Sequence, residues 1–112
     1  MAQKRVILEL GTGNDLHGGD YTKAALRAVQ DALHHSSLAF IRSLKIDKKQ
    51  IDVEVTIGVQ RPEKVDTNEV LKILPHGTGT VKVFEGGLEI SNEAGTDKTV
   101  IAQAAAIVRL DI

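Results

Sequence analysis

Three features of the amino-acid sequence predict an α+β domain, a mixed sheet with its helices on one face. Apolar and polar residues alternate along Ile51–Gln60 and again along Thr99–Ile112, the period of two expected of strands. A helical period with small apolar residues runs from Tyr21 to Leu33. The segments follow in the order strand, helix, strand, short helix and then three strands, which builds a sheet layered with helices. At 112 residues the chain has room for one domain over 1–112 and not for two.

The first strand is expected at Val6–Leu10, where Val6, Leu8 and Leu10 alternate with Ile7 and Glu9. Gly11 to Gly19 holds four glycines and reads as a loop. Asp20 is placed to cap the helix that follows. On its wheel Thr22, Ala25, Leu26, Val29, Ala32, Leu33 and Ser36 share a stripe opposite Lys23, Arg27, Asp31 and His34. A break near Ser36–Ser37 and a short second segment through Phe40 and Ile41 keep Leu38 off the polar face. In the Ile51 strand, Ile51, Val53, Val55, Ile57 and Val59 face one way. Asp66 with Glu69 three residues on forms a capping-box pattern for a short helix that Pro75 ends. Val81–Glu85 and Leu88–Ile90 flank Gly86–Gly87, which reads as a hairpin. In the last strand Val100, Ala102, Ala104, Ala106, Val108, Leu110 and Ile112 share a wholly apolar face that lets the alanine-rich helix come close. The opposite face mixes Ile7, Phe84, Ile101, Ala105 and Ile107 with Glu9, Lys82, Gln103 and Arg109, a composition that suggests contact with another subunit.

Composition excludes several functions. There are no cysteines, which removes disulfides, thiolate metal sites and cysteine nucleophiles. Lys and Arg number 14 against 15 Asp and Glu, so no basic footprint for nucleic acid or anionic lipid exists. Aromatic residues are 3% of the chain, too few for stacking platforms on single strands. No apolar run approaches the roughly 20 residues of a membrane helix. Lys4 and Arg5 lead at once into a short strand, without the extended apolar region of a secretion signal, so the expected compartment is the cytoplasm.

One segment has the residue types of a site. Gly11-Thr12-Gly13-Asn14-Asp15-Leu16-His17-Gly18-Gly19-Asp20 joins the first strand to the first helix. A helix N-terminus offers unpaired amides, and ligands of such sheets gather at the carboxyl ends of strands. Glycines let backbone approach a ligand. Asp15 and His17 are suited to proton transfer or metal binding. The dinucleotide fingerprint fails at Leu16, and a phosphate loop fails at Gly18-Gly19. The bland alternative is a structural connection, with Asp20 as cap and Asp15 as turn former.

The string GxGxDxHG, carried by Gly11, Gly13, Asp15, His17 and Gly18, resembles the signature of the Lin family of conserved hypothetical proteins, and Asp20-Tyr21-Thr22-Lys23-Ala24-Ala25 and the length fit it too. The resemblance implies no activity by itself, and it adds weight to Asp15 and His17 as a site. The element order is also similar to the Bacillus-type chorismate mutase and to modules of cyclic-amide hydrolases. That architectural analogy implies a homo-oligomer, a trimer, with small-molecule sites between subunits.

The reading that follows is a cytoplasmic homo-oligomer with a small-molecule, anion or metal site in this loop. His17 is the expected acid/base or metal ligand, Asp15 its orienting partner, and the amides of Gly11, Gly13 and Gly18 the anion holders. Asp20 and His76 are further candidate ligand-binding residues, His76 because Pro75 precedes it and Gly77-Thr78-Gly79 follows. His34 and His35 point roughly 100° apart on one helix and cannot share a metal easily. No cofactor or metal identity follows from the sequence; a nitrogen and oxygen ligand set suits zinc, manganese or iron better than copper(I). The alternative is a non-catalytic binding or assembly protein whose loop is structural.

Overall fold

A glycine pair on the first strand sets the architecture. In the computed structural model, which describes residues 3–34, 51–74 and 78–111, strand β1 covers Gln3–Asp15 and helix α1 covers Tyr21–Leu33. Gly11 and Gly13 therefore lie within β1, not in the loop expected from Gly11 onward. A Cβ on Gly11 would stand 2.4 Å from the backbone nitrogen of Ala32, and one on Gly13 would stand 2.3 Å from that of Ala28. Only glycine allows helix backbone to touch strand backbone in this way. Next to them, Ala102, Ala104 and Ala106 of the last strand are buried against the same helix.

The remaining elements are β2 (Ile51–Val59), a 3-10 turn (Pro62–Lys64), α2 (Thr67–Lys72), β3 (Thr78–Glu85), β4 (Leu88–Ser91) and β5 (Lys98–Asp111). The sheet runs β1-β5-β2-β3, with β4 also on β5. It is mixed: β2 and β3 are parallel, and the other pairs are antiparallel. Both described helices pack on one face. The fold class is thus α+β in the expected element order. The short segment expected through Phe40 and Ile41, together with His35, Pro75, His76 and Ile112, lies outside the described residues.

One core forms between sheet and helices. Val53, Val55, Ile57 and Val59 of β2, and Val100, Val108 and Leu110 of β5, fill it as their alternation predicted. Each such side chain contributes roughly 1.5–3 kcal/mol by leaving water. On α1 the buried stripe is Tyr21, Ala24, Ala25, Ala28, Val29 and Ala32. It is rotated from the expected stripe, and Leu26 and Leu33 are only partly buried. The small side chains turn inward because the glycine contact leaves no depth for leucine.

Parity along β1 follows from the same contact. If Gly11 and Gly13 face α1, so do Ile7 and Asp15, and both are buried. Leu8 and Leu10 then point to the other face, where they are 49% and 63% exposed. Ile7 and Glu9, expected on the bare face, therefore lie on the helix side. A register shift between Arg5 and Ile7 separates this parity from that of Gln3–Arg5.

Two local expectations are also corrected. Gly86–Gly87 is not a hairpin turn: β3 pairs with β2 while β4 pairs with β5. The chain crosses the end of β2 there, with the Gly86 amide donating to the Val59 carbonyl at 2.9 Å. Gly87 has φ of 62°, and its missing Cβ would meet the Ile101 carbonyl oxygen at 2.2 Å. The capping box is half made. Asp66 accepts from the Asn68 amide at 3.0 Å, but its own amide donates to Thr22 Oγ1 of α1 at 2.9 Å, and Glu69 pairs with Lys72 instead.

The glycine contact predicts that Gly13→Ala destabilises the fold by about 2 kcal/mol or more, because backbone rather than a flexible side chain must move. Gly95→Ala, at φ of 69° with nothing within 4 Å, should lose about 1 kcal/mol from its left-handed backbone alone. Urea midpoints of the two variants check the difference.

Candidate functional site

Beyond Asp15 the chain leaves the sheet and must turn into α1, which starts at Tyr21. Gly18 and Gly19 make this turn at φ of 93° and 62°, a region that L side chains rarely enter. Asp20 caps α1 as expected, accepting from the Lys23 amide at 3.0 Å. Asp15, 3% exposed, accepts from the Asp20 amide at 2.8 Å and lies 3.5 Å from the Lys23 ammonium. Its carboxylate thus ties the end of β1 to the start of α1.

His17 has a different partner from the one expected. Its Nδ1 lies 3.1 Å from Asp97 Oδ2, so the orienting carboxylate is Asp97 while Asp15 is engaged with Asp20 and Lys23. Asp97 Oδ1 accepts from the amides of Gly18 and Lys98, both at 2.8 Å. These bonds hold the Asp97 carboxyl below its ordinary value of 3.8, the Gly18 amide contributing most, then the Lys98 amide and His17. An ionised carboxylate only accepts, so the contact suits a ring that donates from Nδ1 and leaves Nε2 pointing away from Asp97. The imidazole side chain is 86% exposed. Pairing, not burial, orients it.

The glycine amides expected to hold an anion are engaged within the chain. The Thr12 amide donates outward to Asp31 Oδ2 at 3.0 Å, and the Asn14 carbonyl accepts outward from Arg27 at 2.7 Å. Alternation in an antiparallel ladder then turns the amides of Gly11 and Gly13 toward β5. The Gly18 amide goes to Asp97. The anion in this loop is therefore the protein's own carboxylate. Asp20 is occupied as a cap, and His76 lies outside the described residues.

Asp97 is the residue that sequence reasoning missed. It ends a turn organised by Asn92, whose Oδ1 accepts from the amides of Thr96 at 2.9 Å and Asp97 at 3.3 Å, with Gly95 at φ of 69°. The string from Asn92 to Asp97 signals a turn, yet the partner lies 80 residues away. Thr99 Oγ1 adds a bond to the Leu16 carbonyl at 3.0 Å and closes the same junction.

A pocket of about 180 Å³ opens beside the pair, lined by Leu16, His17, Ile90, Asn92, Asp97 and Thr99 among others. A larger groove of about 640 Å³ lies over the bare sheet face and does not include His17. The His17–Asp97 pair borders the smaller pocket, and no described histidine lines the groove. Among the described residues no group of three or more His, Asp or Glu is placed to hold a metal ion. Among them also, no helix is long and apolar enough to cross a membrane.

A family model described as conserved hypothetical protein, Lin0512, matches residues 5–108. The crystal structure of an FtsZ-like protein of unknown function from Nostoc punctiforme is similar over 100% of this chain and 99% of that one, at 36% identity and a TM-score of 0.85. No curated protein matches the chain.

The loop makes two predictions. Asp15→Ala should lower stability by about 2 kcal/mol, through the unpaired Asp20 amide, with Asp15→Asn losing less; chemical denaturation checks this. A carboxyl with a lowered folded pKa stabilises the folded state above its unfolded value, about 3.9, and that contribution is lost as pH falls through the folded one. The Gly18 amide proton should therefore hold its downfield NMR position at about pH 4 and move upfield only below it.

Proposed function

The chain belongs to the Lin0512 family of conserved hypothetical proteins, and from that premise we propose that the β1–α1 junction is a small-molecule site at which His17 transfers protons. The observation that carries this reading is the His17–Asp97 pair. Nδ1 is engaged by an ionised carboxylate, and Nε2 is the basic nitrogen left for a molecule in the adjoining pocket. In this reading His17 is the acid/base, Asp97 orients it, and Asp15 and Asp20 position the loop. A volume of about 180 Å³ suits a ligand of only a few heavy atoms. Asn92 and Thr99 are the polar groups that would fix its orientation. The protein would work in the cytoplasm.

The pair is built for chemistry more than for stability. An exposed histidine–carboxylate contact adds little to stability, so the pair is not what holds this junction together.

The second reading, a non-catalytic assembly protein with a structural loop, is favoured by the large apolar side chains exposed on the bare sheet face. His17→Gln separates the two. A proton-transfer site predicts a melting temperature within about 1 °C of wild type; a loop packed between subunits predicts a clear loss. As the direct test, a mixture of small carboxylic acids and amides is titrated into ¹⁵N-labelled protein. Shifts concentrated on His17, Gly18, Asn92 and Thr99, and lost in His17→Ala, support the site. Shifts confined to the bare sheet face would overturn it.

A further inference from the structure

We infer that the bare face of the sheet is a contact surface for a second copy of this chain. All the described helices lie on the other face. On the bare face Leu8, Leu10, Phe84, Leu88 and Ile90 are each between 49% and 63% exposed. Monomeric proteins rarely leave that much large apolar surface together in water.

Charge says what kind of partner fits. Toward the end of the face where β1 and β2 begin, Arg109 meets Glu54 at 2.6 Å and Asp52 at 3.7 Å, and Lys82 meets Glu54 at 3.0 Å. Two cations and two carboxylates thus neutralise one another within the chain, with Arg5 beside Arg109 at the margin. A nucleic acid, an anionic membrane or a strongly charged peptide finds no complementary field here. An identical face brings the same internally matched charges to the contact.

Shape points the same way. The groove of about 640 Å³ is lined by the small residues Thr56, Gly58 and Ala105 together with Leu10, Gln103, Asp31 and Glu85. Phe84 occupies the β3 position level with Gly58. One face therefore carries both projecting side chains and a recess to receive them, as a two-fold contact requires. Four strands about 4.8 Å apart and about eight residues long give a face of roughly 500 Å². Two such faces stacked about 10 Å apart bury on the order of 1,000 Å², the threshold for a specific interface.

This inference does not rest on the His17 site, which lies at the β1–α1 junction. The test is the native mass and sedimentation of the whole chain, compared with Leu10→Glu and Phe84→Glu. Wild type should have the mass of two or more chains. Each variant should run as a 12.1 kDa monomer with unchanged far-UV circular dichroism, its dissociation constant raised roughly 100-fold or more by the buried charge. In a mixture of labelled and unlabelled wild type, intermolecular contacts from Leu10 methyls to the Phe84 ring provide a readout that needs no substitution. A wild-type monomer, an oligomer that both variants leave intact, or a monomer carrying an apolar small molecule in the groove would each overturn the inference.

Discussion

Helix α1 and strand β1 touch backbone to backbone at Gly11 and Gly13, and the rest of the structure follows from that contact. It requires alanines at Ala28 and Ala32 on the helix and at Ala102, Ala104 and Ala106 on the neighbouring strand. It also fixes the parity of β1, which sends Asp15 inward and Leu8 and Leu10 outward. The inward aspartate becomes the tie to the start of α1. The outward leucines become part of an apolar face that nothing in the described chain covers. A helix held so close to the sheet leaves a short path from strand end to helix start, and Gly18 and Gly19 are the residues able to make it.

Two carboxylates divide the work at that junction. Asp15 is buried, bonds an amide and faces an ammonium, and so holds the architecture. Asp97 is partly exposed and gathers two amides and an imidazole. The first ties the end of β1 to the start of α1; the second gives His17 Nδ1 its partner. This division explains how a loop with few contacts can present one imidazole in a defined tautomer while remaining open to solvent.

Periodicity made most of the fold legible. The faces of β2 and β5 and the Asp20 cap follow directly from alternation and capping chemistry, because each is a local property of the chain. The extent of β1 did not, because two glycines read as loop when no tertiary partner is in view. Gly86–Gly87 failed for a related reason: a hairpin and a strand that changes neighbours look alike in sequence. Within the candidate site, His17 and Asp15 were visible as residue types that carry chemistry, but their pairing was not. Asp97 lies 80 residues from His17, and only the β4–β5 hairpin brings it there. The reading of free glycine amides did not survive for the same reason, since the carboxylate that takes the Gly18 amide comes from that distant turn.

The role proposed for Asp97 is to hold His17 with its proton on Nδ1 and, in the neutral ring, its lone pair on Nε2. Long-range ¹H–¹⁵N correlation spectra of the imidazole, recorded where the ring is neutral, read the tautomer directly. The account predicts protonated Nδ1 in the wild type and a shift of the population toward the Nε2–H form in Asp97→Ala. A wild-type ring protonated on Nε2, with no change on removing Asp97, would contradict it.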